Sequence, residues 1–124
     1  MEQLESIEIK AFVPAKDFAL SKQFYQDLGF AMASDEDRIA YFHHKNCSFL
    51  LQDFYEQKHA ENFMMHILVN EIEKWHRHVM ASGVIEKYGT QVSEVVKQPW
   101  GMLDFYLIDP SSVLWRFGQN ITYK

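Results

Sequence analysis

The chain has 124 residues, of which 48% are hydrophobic and 15% aromatic, so it is long enough for one compact domain with a substantial apolar core. Its formal net charge of -5 comes without a cluster of lysine and arginine, which argues against bulk binding of nucleic acid. No apolar run reaches the roughly 18 residues of a membrane span, and the start of the chain lacks the pattern of a signal peptide, so we expect a cytoplasmic protein that does not bind a membrane.

The first half of the chain predicts a strand, a helix and three further strands. Residues 7–13 alternate between apolar and polar side chains, as a half-buried strand does. Asp17 is a predicted N-cap, and Gly29 ends the helix that it starts. The apolar stripe of this helix recurs at i+4 spacing: Leu20, Phe24 and Leu28. The later strands are predicted over 30–34, 38–44 and 47–54.

The second half repeats this order. A strand is predicted over 64–69, and Asn70 with Glu73 forms a variant capping box for a helix that ends at Gly83. The apolar stripe of this helix contains Ile72, Trp75, Val79 and Met80. Its later strands are predicted over 92–98, 102–108 and 113–117. The chain is therefore predicted to be a single α+β domain of two βαβββ modules, 1–57 and 62–121, with a polar linker at 58–61.

Two stretches of sequence carry a resemblance to a known family. Residues 97–118 contain Pro-Trp-Gly, a strand, the turn Asp109-Pro110 and a closing strand, and residues 13–30 lead into a helix that ends Phe-Tyr-Gln-Asp-Leu-Gly-Phe. Both stretches resemble the vicinal oxygen chelate superfamily of glyoxalases, bleomycin-resistance proteins and dioxygenases. Ser112 stands where the family's turn usually has glycine. The resemblance covers essentially the whole chain and implies two modules whose curled mixed sheets form a cup.

The same resemblance bears on metal binding. In the metal-dependent members, four side chains on the concave face of the sheets hold the metal ion. On the glyoxalase I pattern, those positions in this chain are occupied by Lys10, Gln52, Met64 and Arg116. Two cations and a thioether do not suit the divalent ions of such sites. The resemblance therefore implies a metal-free protein without a cofactor, nearest to the bleomycin-resistance type.

The remaining histidines and the single cysteine offer little for a site elsewhere. Two histidine pairs are poorly spaced for chelation: His43 with His44 on a strand, and His76 with His78 on a helix. His66 shares a strand face with Met64 and has Gln52 and Asp104 as potential oxygen neighbours, so a relocated site there stays open. Cys47 excludes an internal disulfide, and its apolar neighbours predict a buried thiol.

Period-2 alternation also predicts which side chains face the core and which line the cup. On the core side it places Ile7, Ile9, Ala11, Val13, Phe49, Leu51, Met65, Ile67, Val69, Leu103, Phe105, Leu107, Val113, Trp115 and Phe117. The predicted ligand contacts are Lys10, Phe12, Gln52, Met64, His66, Trp100, Asp104, Tyr106 and Arg116. Trp100 has two interpretations, a hairpin anchor or, as the resemblance implies, an aromatic shelf at the mouth of the groove.

Charge in the predicted cup suggests the chemistry of its ligand. Lys10 and Arg116 outnumber the one predicted cup carboxylate, Asp104, and unpaired charge in a partly desolvated cup is costly. This pattern favours a small organic ligand with an anionic group. The alternative is that Lys10 and Arg116 form ion pairs with Glu8 and Asp104 in a structural network at a dimer interface.

Three functions remain open from the sequence. The first is a homodimer that reversibly sequesters a small molecule in its cup, which is either shared between two chains or formed within one. The second is a glyoxalase- or dioxygenase-like enzyme, in which His66 with a carboxylate such as Asp104 holds a metal or acts as a general base. The third is a structural or regulatory module with an empty cup.

Overall fold

The computed structural model of the protein describes residues 3–121. The first half contains β1 (Phe12–Pro14), α1 (Phe18–Leu28), β2 (Ala31–Glu36), β3 (Ile39–His44), β4 (Cys47–Gln52) and α2 (Gln57–Glu61). The second half contains β5 (Met64–Leu68), α3 (Ile72–Ser82), α4 (Val84–Tyr88), β6 (Val96–Gln98), β7 (Met102–Ile108) and β8 (Leu114–Asn120). The predicted order of one strand, a helix and three strands is confirmed in both halves.

The strands form two open, four-stranded mixed sheets with the same arrangement. Their orders are β1-β4-β3-β2 and β5-β8-β7-β6. In each sheet the first strand pairs in parallel with the last, and the other pairs are antiparallel. Because β1 and β5 each pair on one side only, both sheets end in an unpaired strand edge. The predicted α+β class is confirmed.

The two long helices begin in different ways. Asp17 caps α1 as predicted, since its carboxylate accepts a hydrogen bond from the Leu20 backbone N–H at 3.1 Å. The predicted Asn70 cap of α3 is wrong, because Glu71 is the N-cap residue and makes no side-chain capping bond. Instead, the side chain of Gln119 in β8 accepts from the backbone N–H of Ile72 at 2.9 Å. A residue distant in sequence therefore satisfies a donor that the capping box was expected to satisfy.

The buried apolar stripes of α1 and α3 contain fewer of the predicted residues than the sequence indicates. Phe24 and Leu28 are fully buried, but Leu20 is 39% exposed and Met80 is 49% exposed. Small Ser21 and large Tyr25 take the buried positions on α1 instead. Leu20 and Met80 were therefore wrongly assigned to the core stripe. Both glycines predicted to end the long helices adopt left-handed conformations, with φ of 118° at Gly29 and 77° at Gly83.

Three local predictions need correction. The linker is helical over α2, where Glu56 accepts from the His59 backbone N–H at 2.8 Å. The helix α4 directly follows Gly83 and was not predicted. The strand predicted from residue 92 begins only at Val96. Before it, the backbone N–H of Tyr106 donates to the hydroxyl of Ser93, and this interrupts regular backbone pairing with β7.

The beginning of the chain departs most from prediction. The strand expected over 7–13 starts only at Phe12, and Ile7 and Ile9 are 98% and 95% exposed instead of facing the helices. The register of β1 on β4 places Phe12 opposite Leu50, so residues before 9 lie beyond the first residue of β4. No neighbouring strand supports them there. The segment 3–11 is called the N-terminal arm below.

The core joins both halves around one tryptophan. Trp115 of β8 contacts three rings from the first half: Tyr25, Phe30 and Phe49, at centroid distances of 5.6, 5.7 and 5.1 Å. Its indole N–H donates to the Tyr25 hydroxyl at 2.8 Å, and that hydroxyl donates to Asp109 at 2.5 Å. The predicted burial of Val13, Phe49, Leu51, Phe105, Leu107, Val113, Trp115 and Phe117 is confirmed.

The Asp-Pro turn between β7 and β8 anchors this core. Asp109 is 2% exposed and accepts hydrogen bonds from the backbone N–H groups of Ser111 and Val113 at 2.8 and 2.9 Å. Ser112 adopts φ of 71°, a left-handed conformation that glycine takes more readily. The turn thus keeps its shape without glycine. No helix within residues 3–121 is long and apolar enough to cross a membrane.

Cys47 is exposed, so the prediction of a buried thiol is wrong. It occupies the first position of β4, next to the turn from β3. Phe49, two residues further along, is 1% exposed because it lies under Trp115. Apolar neighbours in sequence therefore did not decide burial at the end of a strand.

Candidate ligand-binding faces

Eight of the nine predicted ligand contacts fall on two sheet faces, and the ninth, Trp100, lies in the turn between β6 and β7. The first-sheet face consists of Lys10, Phe12, Tyr41, Ser48, Leu50 and Gln52. Its register places Phe12 beside Leu50 and Leu50 beside Tyr41. The second-sheet face consists of Met64, His66, Met102, Asp104, Tyr106 and Arg116. Its register places His66 beside Arg116 and Arg116 beside Tyr106.

On the first-sheet face, the charge of Lys10 is balanced by Glu8. The carboxylate of Glu8 accepts hydrogen bonds from Lys10 Nζ at 2.7 Å, Ser48 Oγ at 2.6 Å and the Tyr41 hydroxyl at 2.9 Å. These bonds, led by that from Lys10, lower the pKa of Glu8 to about 2. The ammonium group also lies 5.0 Å from the centroid of the Tyr41 ring. Glu8 therefore fixes the N-terminal arm to this face.

On the second-sheet face, the charge of Arg116 is balanced by Asp104. Arg116 Nη1 lies 3.2 Å from Asp104 Oδ2, and Gln98 Nε2 donates to Asp104 Oδ1 at 2.8 Å. Asp104 is only 3% exposed, whereas the side chain of Arg116 is 34% exposed. The expectation of uncompensated positive charge in the cup is therefore wrong, and the alternative of ion pairs with Glu8 and Asp104 describes both sheets.

Arg116 nevertheless keeps donors for a ligand. Within residues 3–121, Asp104 is the one acceptor recorded for its guanidinium group, through Nη1. The other N–H groups of a guanidinium fork can bind a planar acceptor such as a carboxylate. Tyr106, half-buried, stands directly beside Arg116 across the antiparallel pair. This part of the face combines directional donors with an aromatic ring.

Gly118 in the second-sheet face is buried beneath two neighbouring side chains. A Cβ atom at Gly118 would lie 2.6 Å from Met102 Sδ and 2.8 Å from His66 Nε2. Both side chains therefore lie over the glycine from the strands on either side of β8. His66 meets a thioether there, and both oxygens of Asp104 are already engaged. The arrangement gives no support to a metal or general-base site made of His66 and Asp104.

The apolar members of the candidate site are strongly exposed. Phe12 is 48% exposed, Met64 58% and Trp100 66%. Trp100 lies in the turn between β6 and β7, and no ring within residues 3–121 is recorded against it. The lack of ring contacts gives no support to the hairpin anchor, and the aromatic shelf stays a prediction. Exposed apolar side chains on concave sheet surfaces are typical of faces that bind a ligand or another protein.

Within one chain the two faces meet only at a small cleft, where Ser48 of the first-sheet face and His66 of the second-sheet face both form part of the wall. No hydrogen bond or ion pair recorded within residues 3–121 joins a member of one face to a member of the other. The structure contains a cleft of about 190 Å³ between β4 and β5 and a larger cavity beside α3. Of the nine predicted contacts, His66 alone lines either of them, at the cleft.

The residues at the glyoxalase-type ligand positions do not fit a divalent metal. Lys10 and Arg116 are already engaged in ion pairs, and Met64 offers only a soft thioether. Over the described part of the chain, no three side chains from His, Cys, Asp and Glu converge in a way that could hold a metal ion. The arrangement can instead hold an organic molecule by stacking, apolar contact and hydrogen bonds.

Sequence reasoning missed three polar partners: Tyr41, Ser48 and Gln98. A signal for two of them was present, because alternation within the predicted strands 38–44 and 47–54 puts Tyr41 and Ser48 on the same face as Lys10. Gln98 had no comparable signal. Its contact with Asp104 depends on how the short β6 pairs with β7, and the predicted start of that strand was wrong.

The sequence profile of the Glyoxalase/Bleomycin resistance protein/Dioxygenase superfamily matches residues 7–117. The chain belongs to this superfamily. The match extends over both sheets, so the resemblance inferred from residues 13–30 and 97–118 is confirmed. A comparison with curated proteins found no match.

Solved structures of superfamily members have the same fold. A bleomycin-binding protein complexed with bleomycin is 19% identical, with a TM-score of 0.80 over 93% of this chain and 99% of that chain. The bleomycin-binding protein of Streptomyces verticillus, complexed with copper(II)-bleomycin, is 17% identical, with a TM-score of 0.79 over 98% and 100%. A lactoylglutathione lyase from Agrobacterium tumefaciens is 16% identical, with a TM-score of 0.67 over 94% and 96%. At these identities the likeness establishes the fold alone.

Proposed function

We propose that this superfamily member is a metal-free binding protein that reversibly sequesters a small organic ligand in a cup between two copies of the chain. The observation that carries this proposal is the composition of the two faces. Each presents exposed apolar side chains beside a neutral ion pair, and neither presents a set of metal ligands. A cytoplasmic location and the absence of catalysis remain part of the same proposal.

The cup requires a first-sheet face from one chain and a second-sheet face from its partner. Support comes from the lack, within residues 3–121, of any recorded hydrogen bond or ion pair between members of the two faces, and from the unpaired edges of β1 and β5. The N-terminal arm adds further apolar surface, since Leu4, Ile7 and Ile9 are each at least 95% exposed. A two-fold dimer would bury this surface, and the two faces would then enclose a ligand from both sides.

The proposed ligand carries an aromatic or apolar body and a carboxylate or similar anionic group. The apolar body is matched by Phe12, Met64 and Trp100, and the anionic group by the free donors of Arg116. Both cations already have carboxylate partners. An anionic group would therefore be held by hydrogen bonds from Arg116 and not by an excess of positive charge. Bleomycin, which is bound by two of the structural relatives, is largely cationic and does not match this ligand.

Changing the exposed isoleucines of the N-terminal arm is expected to break the dimer. We expect wild-type protein to be a dimer at micromolar concentration and the Ile7→Glu/Ile9→Glu variant to dissociate at least about 100-fold more readily, because charged groups would replace buried apolar contacts. Light scattering over a dilution series measures this. The matched control, Leu20→Glu/Met80→Glu, places the same charges on exposed positions of α1 and α3. A monomeric wild-type protein would exclude the shared cup.

Purified protein is expected to hold no stoichiometric Zn, Ni, Mn or Fe. The reason is the chemistry of the four ligand positions, two of which carry paired cations. Elemental analysis together with native mass spectrometry of freshly purified protein reports metal, retained ligand and oligomeric mass. About one metal ion per chain, lost in a His66→Ala variant, would contradict the proposal and favour a metal-dependent enzyme.

A further inference from the structure

An open cavity lies between the β3–β4 turn and the start of α3. Its volume is about 550 Å³, and it is lined by residues 44–47, by residues 67–71 and by Lys74, Trp75 and His78. The volume is in the range of small-molecule sites in proteins. None of the nine predicted ligand contacts lines it, although it adjoins the cleft between β4 and β5, with which it shares Cys47, Ile67 and Leu68.

The other half of the chain has an equivalent junction between a strand turn and a helix start, and that junction is closed. In the other half, the β7–β8 turn meets the start of α1 through hydrogen bonds: Lys16 N–H donates to Ser111 Oγ at 2.8 Å, and Ser21 Oγ lies 3.4 Å from Ser111 Oγ. Ser21 is the fourth residue of α1, and Trp75 is the fourth residue of α3. The chain therefore builds the same junction twice, closed by serines in one copy and left open beside a tryptophan in the other.

Trp75 gives the cavity a rigid aromatic wall. Its half-buried ring packs on Phe117 at 5.3 Å and meets the ring of His44 edge-on at 5.0 Å and that of His78 at 5.7 Å. His78 Nε2 is held 2.6 Å from the Leu28 carbonyl oxygen. Burial, followed by the nearby charge of Lys45, lowers the pKa of His44. Among residues 3–121, no acceptor is recorded for the Trp75 indole N–H.

The rim of the cavity is positively charged. Lys45 and Lys74 line it together with one carboxylate, Glu71. Lys74 Nζ lies 3.9 Å from Glu71 Oε2, and the two side chains are 73% and 72% exposed, so this pair is weak. Lys45 has no recorded ion-pair partner in the described part of the chain. An anionic group at the rim would meet two ammonium groups and the single carboxylate of Glu71.

We propose that this cavity is a second ligand site, which binds a flat aromatic anion with its ring against Trp75 and its carboxylate toward Lys45 and Lys74. The aromatic wall supplies stacking, and the rim supplies the charge preference. This site is independent of the cup proposed above. It would bind its ligand in one chain, without a contribution from a second copy.

The test uses 2-naphthoate and its neutral counterpart 2-naphthamide, titrated by calorimetry into the full chain. We expect 2-naphthoate to bind more tightly than 2-naphthamide. The Lys45→Gln/Lys74→Gln variant should weaken binding of 2-naphthoate about fivefold, the combined value of two exposed charge contacts. The Lys58→Gln/Lys97→Gln control removes the same charge from exposed positions elsewhere and should change affinity less than about twofold.

The location of the bound probe is read from the three tryptophan indole N–H signals in an NMR spectrum, assigned with Trp75→Phe and Trp100→Phe variants. We expect the chemical shift of the Trp75 indole N–H to change when 2-naphthoate binds. Equal weakening by both lysine pairs, or no binding at millimolar probe, overturns the proposal. If Arg116→Gln abolishes binding and the Trp75 signal stays still, the probe occupies the second-sheet face, which overturns this site and supports the cup.

Discussion

Replacing Asp109 with alanine is expected to lower the free energy of unfolding by about 3 kcal/mol or more. The buried carboxylate accepts three hydrogen bonds: from the Tyr25 hydroxyl, Ser111 N–H and Val113 N–H. Alanine leaves these donors without an acceptor and also opens a void between the two halves. Because the Tyr25 hydroxyl in turn accepts from Trp115, the loss reaches the ring cluster that joins both sheets.

Urea denaturation followed by circular dichroism measures this loss. Asp53→Ala is the matched control, because Asp53 forms an ion pair with Arg38 whose side chain is 74% exposed. Such surface pairs contribute about 0 to 1 kcal/mol. Equal destabilisation by the two alanine variants would show that the Asp109 network does not hold the halves together.

The same carboxyl group gives a pH dependence of known sign. Burial raises the pKa of Asp109 to about 6, above its value of about 3.9 in an unfolded chain. The folded protein therefore binds this proton more tightly, and the stabilisation present below about pH 4 is lost as the pH rises through about 6, by roughly 2 to 3 kcal/mol. The margin of the wild type over an Asp109→Asn variant should shrink over that interval. Glu8 and Asp27, whose pKa values are lowered, titrate in both proteins and cancel in the difference.

Replacing Arg116 with alanine is expected to weaken binding of an anionic aromatic ligand in the cup by about 2 kcal/mol, or roughly 30-fold. The ligand carboxylate would lose its hydrogen bonds to the free N–H groups of Arg116. Lys10→Ala should have a smaller effect, because Glu8 holds the ammonium group on the first-sheet face. A thermal-shift screen of matched anionic, neutral and cationic aromatic compounds identifies the ligand, and calorimetry on each variant measures the loss.

Arg116→Ala also leaves Asp104 buried without its partner, so a second variant separates folding from binding. Arg116→Lys keeps a cation near Asp104 but removes the planar fork, and should weaken binding while the free energy of unfolding changes little. Lys97→Gln removes one positive charge from an exposed position near this face and serves as the control. Cationic hits in the screen, or an affinity that ignores both Arg116 and Lys10, would show that the two cations are structural.

Local sequence patterns determined the order of the elements and most of the core. Alternation identified the buried side of β4, β7 and β8, and Asp17 and Gly29 marked the ends of α1, because these features depend on neighbours within a few residues. The family could also be inferred, since its motifs lie in continuous stretches. The prediction of a metal-free protein came from the four residues that the resemblance places at the ligand positions.

Tertiary structure decided the environment of the site. The sequence placed Lys10 and Arg116 on one side of their strands, but only the folded sheets show that Glu8 and Asp104 neutralise them. The exposure of Ile7 depends on where β4 begins, and the backbone N–H of Ile72 at the start of α3 is satisfied by Gln119 from β8. Alternation fixes the direction of a side chain, whereas its partners come from strands distant in sequence. For that reason the sequence left charge compensation as one of two alternatives, and the open junction beside Trp75 could not be predicted from it.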